Sequence, residues 1–242
     1  MKLVLICPLP QEHDSTVQGL SLGPGDHHAV PRVALGAYGA HQVVSALAGA
    51  GPRRAAAAAS RAMDDHDPDL LIDFGTCAAV EEGVSVGSIV VATRCVQMRI
   101  SRRGTAPHLP ERMGSLGWDP DPVLRRRWEA VWKNWEDYDV RIGLQGSGRI
   151  VIAGEQRRRI VRRLSGATAF NWETAAVFRA AQRRGVPAVS LRVVTDLGGS
   201  NALLEFFRQL DVQCARLTHF LARLLTTSWL ESGPFARSEN TR

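Results

Sequence analysis

The chain has 242 residues, 45% hydrophobic and 22% charged, enough apolar side chain to offset the ordering entropy of a core, which excludes wholesale disorder. Its formal charge of +6 rests on short arginine clusters such as Arg102-Arg103, Arg157 to Arg159 and Arg162-Arg163; without interleaved aromatic residues they read as solvated faces, not as a nucleic-acid surface. The four cysteines, Cys7, Cys77, Cys95 and Cys214, have no C-x-x-C spacing, which argues against a zinc site and a disulfide framework.

LVLIC at 3–7 is a short apolar run ended by Pro8 and Pro10, the pattern of a buried parallel strand entering a loop, and Gln11, Glu12 and His13 are expected in that loop. With only Lys2 ahead of it the run is too short for a secretory segment. No other stretch approaches the roughly 20 apolar residues of a membrane span, so a cytoplasmic protein without membrane contact is expected. Val33 to Leu35 and Val43 to Leu47, separated around Gly36 and Gly39, predict an antiparallel pair. Pro52 and the alanine-rich stretch Ala55 to Met63 predict a helix.

Strands are predicted at 69–75 and 87–96, then a long loop or flap at 97–120 and a helix at 121–135. The second half alternates in the same way: strands at 140–145, 149–152, 167–171 and 187–195, helices at 155–164 and 173–184. A last helix begins near Asn201, where Leu203, Phe206, Phe207, Leu210 and Leu217 are spaced to keep one apolar face. Alternating strands and helices imply a single-domain three-layer α/β/α fold with a mixed, mainly parallel central sheet. The expected domain is 1–228, followed by a polar, mobile tail at 229–242.

Ligands in open α/β sheets bind beyond the carboxyl ends of strands. Here those ends lead to Glu12, to Gly75-Thr76, to Trp172-Glu173 and to Thr195-Asp196. Three carboxylates at neighbouring strand ends suit acid and base work, in which one carboxyl is protonated and another ionised. Each residue also has a plainer reading: Glu12 as a surface acid, Glu173 as a negative charge at a helix N-terminus, Asp196 as a turn or cap residue, and Thr76 as a turn former.

Three segments, MKLVLICPLPQE, PDLLIDFGTCAAVEEGVSVGSIVV and FNWETAAVFRAAQRRGVPAVSLRVVTD, together resemble the methylthioadenosine/S-adenosylhomocysteine nucleosidases and, more broadly, the purine nucleoside and uridine phosphorylase superfamily. The last of them is similar to the family's M-E-x-x-A-A stretch followed by V-R-x-x-S-D. The resemblance implies a nucleoside phosphorylase-like fold, a small-molecule nucleoside substrate, no cofactor or metal, and a homodimer or hexamer, the nucleosidase branch favouring the homodimer. It puts Glu173 against the ribose hydroxyls, Asp196 beside the N7 nitrogen of the purine as general acid, Glu12 as the group that activates water, and Arg192 as its support. Gly75 and Thr76 correspond to a Gly-Ser or Gly-Thr turn at the same cavity, Val151 and Ile152 to a base-binding stretch acting through its main chain, and Trp172 and Phe207 to its walls.

Two departures shape the expectation. Phosphorylases of this superfamily hold phosphate with arginines just before that turn and in the first loop, where this chain has Asp73 and Glu12, and a carboxylate repels phosphate. Hydrolysis is therefore expected over phosphorolysis. Trp172 replaces the family's methionine, and the flap motif D-V-T-x-F-G has no counterpart at 97–113, which leaves the 5′ group of the substrate open. The leading reading is a purine nucleosidase acting on a 5′-modified adenosine. A nucleoside phosphorylase, a nucleosidase specialised for aminofutalosine or adenosylhopane, and a non-catalytic nucleoside-binding protein are the alternatives. An apolar 5′ pocket is expected, with Leu203, Leu204, Phe206 and Phe207 at its mouth.

Overall fold

In the first strand, β1 (Lys2–Cys7), alternate side chains enter opposite apolar layers: Leu3, Leu5 and Cys7 one cluster, Val4 and Ile6 another. A continuous apolar run means this in a sheet covered on both faces. The computed structural model describes residues 1–25, 32–98, 111–114, 130–131 and 135–227. Arg102, Arg103, most of the expected flap, all but three residues of the helix expected at 121–135, and the tail at 229–242 lie outside the described residues.

β1 runs parallel to β4 (His41–Leu47) on one side and to β5 (Leu70–Ala79) on the other, and β5 runs parallel to β10 (Ala188–Asp196). This parallel run is the middle of a mixed sheet. β3 (Arg32–Tyr38) and β2 (Gly23–Pro24) add an antiparallel edge, and the pairing of Tyr38 with His41 across a tight turn realises the predicted hairpin. On the other side β6 (Ile89–Gln97) lies antiparallel to β10 and parallel to β8 (Val140–Ser147). The short β9 (Ala169–Asn171) links β8 back to β5. The strands β5, β10, β6, β8 and β9 thus form a closed ring whose carboxyl-end mouth is a natural binding place.

α2 (Pro52–His66) buries Ala55, Ala58, Ala59, Ala62 and Met63, spaced for one helical face. Its alanines let it pack closely against the sheet and against α4 (Thr174–Arg184), which offers Ala175, Val177, Phe178 and Ala181 to the same cluster. α1 (Pro10–Gly19) and α5 (Ala202–Leu225) pack together on the opposite face. The remaining described helix, α3 (Glu155–Ser165), ends at Gly166 in the left-handed region and carries the arginine cluster on its surface, where Arg158 and Arg159 pair with Glu155.

The structure corrects several expectations. Gln11, Glu12 and His13 lie in α1, not in a loop: Pro10 takes the first helical position and Glu12 accepts the Leu9 N–H at 2.8 Å, while the buried face is the polar set Glu12, His13 and Thr16. Residues 149–152 form no strand but a loop with local bonds such as Ile150 N–H to Gly148 O at 2.8 Å. Part of the stretch expected as a loop at 97–120 is a strand, β7 (Glu111–Gly114), antiparallel to β6. Gly75-Thr76 is no turn, because β5 continues to Ala79 along β10. The last helix does not keep one apolar face either: Leu210 and Leu217 are buried, whereas Leu203 and Phe207 in its first two turns are exposed.

Candidate active site

A cavity of about 340 Å³ opens at the mouth of the strand ring. Glu12, Thr76, Trp172, Glu173, Arg192 and Asp196 line it, as do Val151, Ile152 and Phe207. The sequence-predicted residues therefore meet in one place, except Leu204 and Gly75, the latter lying under Glu12: a Cβ there would run into the Glu12 carboxylate. Leu203 and Phe206 reach the cavity wall; Leu204 is exposed but not part of it, since it points off that side of α5.

The floor is a network of buried charge. Arg192 and Asp73 are both essentially inaccessible. Arg192 donates from Nε to Asp73 Oδ2 at 3.1 Å, from a terminal nitrogen to Asp73 Oδ1, and from the other to the Thr76 carbonyl at 3.0 Å. Asp73 Oδ2 also accepts from Thr174 Oγ1 at 2.6 Å and Ser190 Oγ at 2.8 Å. A paired, hydrogen-bonded arrangement of this kind is what allows charge to stay buried.

Glu12 hangs over this floor from α1. Its Oε1 accepts from the Thr76 N–H at 2.7 Å and the Thr76 hydroxyl at 2.9 Å, and its Oε2 from the Leu9 N–H. Burial pushes its carboxyl up to about 7, against the opposing pull of Arg192 and of the Leu9 and Thr76 N–H groups. Glu173 stands at the start of α4, held by Gly51 N–H at 2.8 Å on Oε1, while Oε2 is 3.9 Å from Arg192. Burial raises its proton affinity as well, and Arg192 counters it.

Asp196 ends β10 on a separate part of the wall. Its Oδ1 accepts from the Gly198 N–H at 3.1 Å and its Oδ2 from Thr195 Oγ1 at 3.2 Å. Burial pushes it up to about 6. Two carboxyls facing one cavity are thus both raised by burial, Glu12 above Asp196, as is common for titratable groups at functional sites. Among the described residues no cluster of three or more His, Cys, Asp or Glu is placed to hold a metal, and no helix is long and apolar enough to cross a membrane.

The rim is apolar. The Trp172 indole N–H is fixed to the Ile150 carbonyl at 2.7 Å, which turns the ring along the cavity edge beside Val151. Phe206 and Phe207 meet edge to face, with ring centroids 5.3 Å apart. Sequence reasoning missed three supports. Asn171 Oδ1 accepts the Glu173 and Thr174 N–H groups and so sets the start of α4; Asn two positions before the Glu was the available signal. Gly51 holds Glu173 from a distant loop, and buried His13 bonds Ser45 at 2.9 Å through Nδ1, tying α1 to β4. Neither has a local signature.

A profile of the Phosphorylase superfamily matches residues 2–226. A 5′-methylthioadenosine/S-adenosylhomocysteine nucleosidase of Staphylococcus haemolyticus is 27% identical over 178 residues, 71% of this chain and 75% of the relative. An S-adenosylhomocysteine nucleosidase from Streptococcus pyogenes, solved in complex with 5-methylthiotubericidin, superposes with a TM-score of 0.79 at 21% identity, covering 93% of this chain and 96% of that one. The futalosine hydrolase of Helicobacter pylori gives 0.79 at 16% identity, covering 93% and 97%. At these identities the two structural likenesses concern the fold.

Proposed function

Because the chain belongs to the phosphorylase superfamily, we propose that it is a purine nucleosidase, which hydrolyses the N-glycosidic bond of a 5′-modified adenosine to free adenine and a ribose derivative. The observation that carries this reading is geometric: the buried carboxyls Glu12, Glu173 and Asp196 and the guanidinium of Arg192 all line one cavity. Asp196, protonated, donates to the departing base; a leaving group that carries a proton leaves more readily from an oxocarbenium-like sugar. Glu12, ionised, takes a proton from the attacking water. Glu173 holds the ribose hydroxyls, which fixes the sugar in line for attack. Arg192 uses three of its five N–H donors on Asp73 and Thr76, leaving two for the water or the substrate.

Hydrolysis, not phosphorolysis, is supported by the same network: Arg192 is already neutralised by Asp73, and Glu12 hangs over it. An incoming phosphate would meet carboxylates. The base lies along Val151 and Ile152, and the 5′ group points toward Trp172, Leu203 and Phe207. We read the enzyme as a cytoplasmic homodimer with its domain at 1–228; the exposed Leu204 and Val212, outside the cavity lining, are the kind of apolar surface that a second subunit covers.

The test is base release from methylthioadenosine in phosphate-free buffer. The expected products are adenine and the free 5′-methylthioribose. A strict requirement for phosphate, with a ribose 1-phosphate as product, would overturn hydrolysis.

A further inference from the structure

Three carboxylates, Asp73, Glu173 and Glu12, surround the single guanidinium of Arg192 at the cavity floor. Their shares in it are unequal. Asp73 takes it with both oxygens, Glu173 stands 3.9 Å away, and no hydrogen bond or ion pair joins Arg192 to Glu12 among the described residues. Asp73 is itself fixed from two other elements, by Ser190 on β10 and Thr174 at the start of α4. Replacing a buried ion pair with packed apolar residues is often neutral or stabilising. The value of this one is therefore to be sought in the geometry that it imposes on its neighbours.

We propose that Asp73 is a positioning residue: its two-oxygen clamp holds Arg192 toward β5 and away from Glu12, so that the Glu12 carboxylate keeps its capacity to take a proton from water.

Glu12 meets Arg192 from β10, Glu173 from the start of α4, Cys7 from β1, Cys77 from β5 and Cys214 from α5. Burial pushes all three thiols up, so they are neutral in the working range, and the charge around Glu12 is that of the carboxylates and Arg192. Loss of the Asp73 charge acts on Glu12 in one direction by two routes. It removes a negative neighbour, and it frees the guanidinium to swing to the remaining carboxylates. Both make Glu12 a weaker base. The catalytic consequence rests on the reading of Glu12 as the group that activates water; the electrostatic one does not.

The experiment follows the Glu12 carboxyl by its 13C shift, assigned with Glu12→Gln, in the wild-type chain and in Asp73→Asn. The wild-type midpoint is expected near 7, and in the variant lower by about one unit or more, the usual size for a charge change beside a carboxyl. The low-pH values of kcat/KM, which scale with the ionised fraction of Glu12, should rise relative to wild type, which a merely structural role for Asp73 would not produce. An unmoved midpoint in folded Asp73→Asn overturns the proposal, as does a wild-type midpoint near the ordinary 4.5. Should Asp73→Asn not fold, Ser190→Ala, which removes one bond on Asp73 and keeps every charge, is expected to shift the midpoint the same way by less; no shift overturns the proposal. Full activity of Glu12→Gln would instead sink the assignment of the base, and leave the titration result standing.

Discussion

The floor and the rim of the cavity are built by opposite means. Every charged group of the floor, and Asp196 on the wall beside it, is buried and held by at least two hydrogen bonds: Asp73 by Arg192, Ser190 and Thr174, Glu12 by Leu9 and Thr76, Asp196 by Thr195 and Gly198. The rim is apolar and open, with Phe207 66% and Leu203 60% exposed. A buried polar group without partners costs about 1–3 kcal/mol, so the floor is locked before any ligand arrives. The rim gains only when something covers it. Changes at the floor should therefore appear in turnover and in the dependence on pH, and changes at the rim in binding.

The largest effect is expected at Asp196. Asp196→Asn keeps an oxygen for the Gly198 N–H and keeps the volume, so the fold should survive, yet the proton for the leaving base is lost. Turnover should fall at least about a hundredfold, the usual scale for a lost general acid. Near-normal turnover in a folded variant would reduce Asp196 to a turn residue and erase the distinction between floor and rim.

Glu12→Gln separates function from stability at the floor. The folded chain holds the Glu12 proton up to about 7, against 4.5 for an ordinary glutamate. A carboxyl whose value is raised on folding favours the fold below its unfolded value, and that contribution disappears as pH rises through the folded value. Glu12 is therefore a stability liability above pH 7 and none at pH 4. The variant should lose hydrolysis, keep ligand binding, and melt higher than wild type at pH 8 but not at pH 4. The gain is on the order of 3 kcal/mol, less what is lost because an amide nitrogen cannot accept the Leu9 N–H. Equal melting differences at both pH values would show that Glu12 is an ordinary carboxylate in the folded chain.

The same contrast governs what could be read from the sequence. Floor residues sit at ends of strands whose apolar runs are unmistakable, such as 3–7 and 187–195, and their chemistry restricts them to a few residue types. Of the thirteen residues assigned to the cavity eleven line it; Gly75 lies just beneath it and Leu204 points away. α1 escaped because a helix that buries Glu12, His13 and Thr16 has no apolar period to detect. The loop at 149–152 read as a strand because Ile150, Val151 and Ile152 are β-branched, although Ile152 alone of Val151 and Ile152 is buried and the other faces the cavity mouth. Leu203 and Phe207 fit a helical apolar stripe that continues into Leu210 and Leu217, and spacing cannot distinguish a stripe that faces the core from one that faces a ligand or another chain.

The smallest expected effect is at that stripe. Phe207 packs edge to face on Phe206 and is otherwise largely in water, so Phe207→Ala removes little folded-state packing. Covering its ring with an apolar 5′ substituent would contribute about 1 kcal/mol or somewhat more. The variant should raise KM for methylthioadenosine about five- to tenfold with kcat nearly unchanged, and leave adenosine, which has only a 5′ hydroxyl, almost unaffected. Enclosing a 5′-phosphate against Trp172, Leu203 and Phe207 would strand its charge without a partner, so wild type should discriminate against AMP. Sedimentation must accompany the kinetics, because Phe207 covered by a second subunit would give a different result: weaker association, and a loss shared by all three substrates. If AMP is the best of the three for wild type, the apolar rim does not select the 5′ group, and cationic residues outside the described part of the chain do.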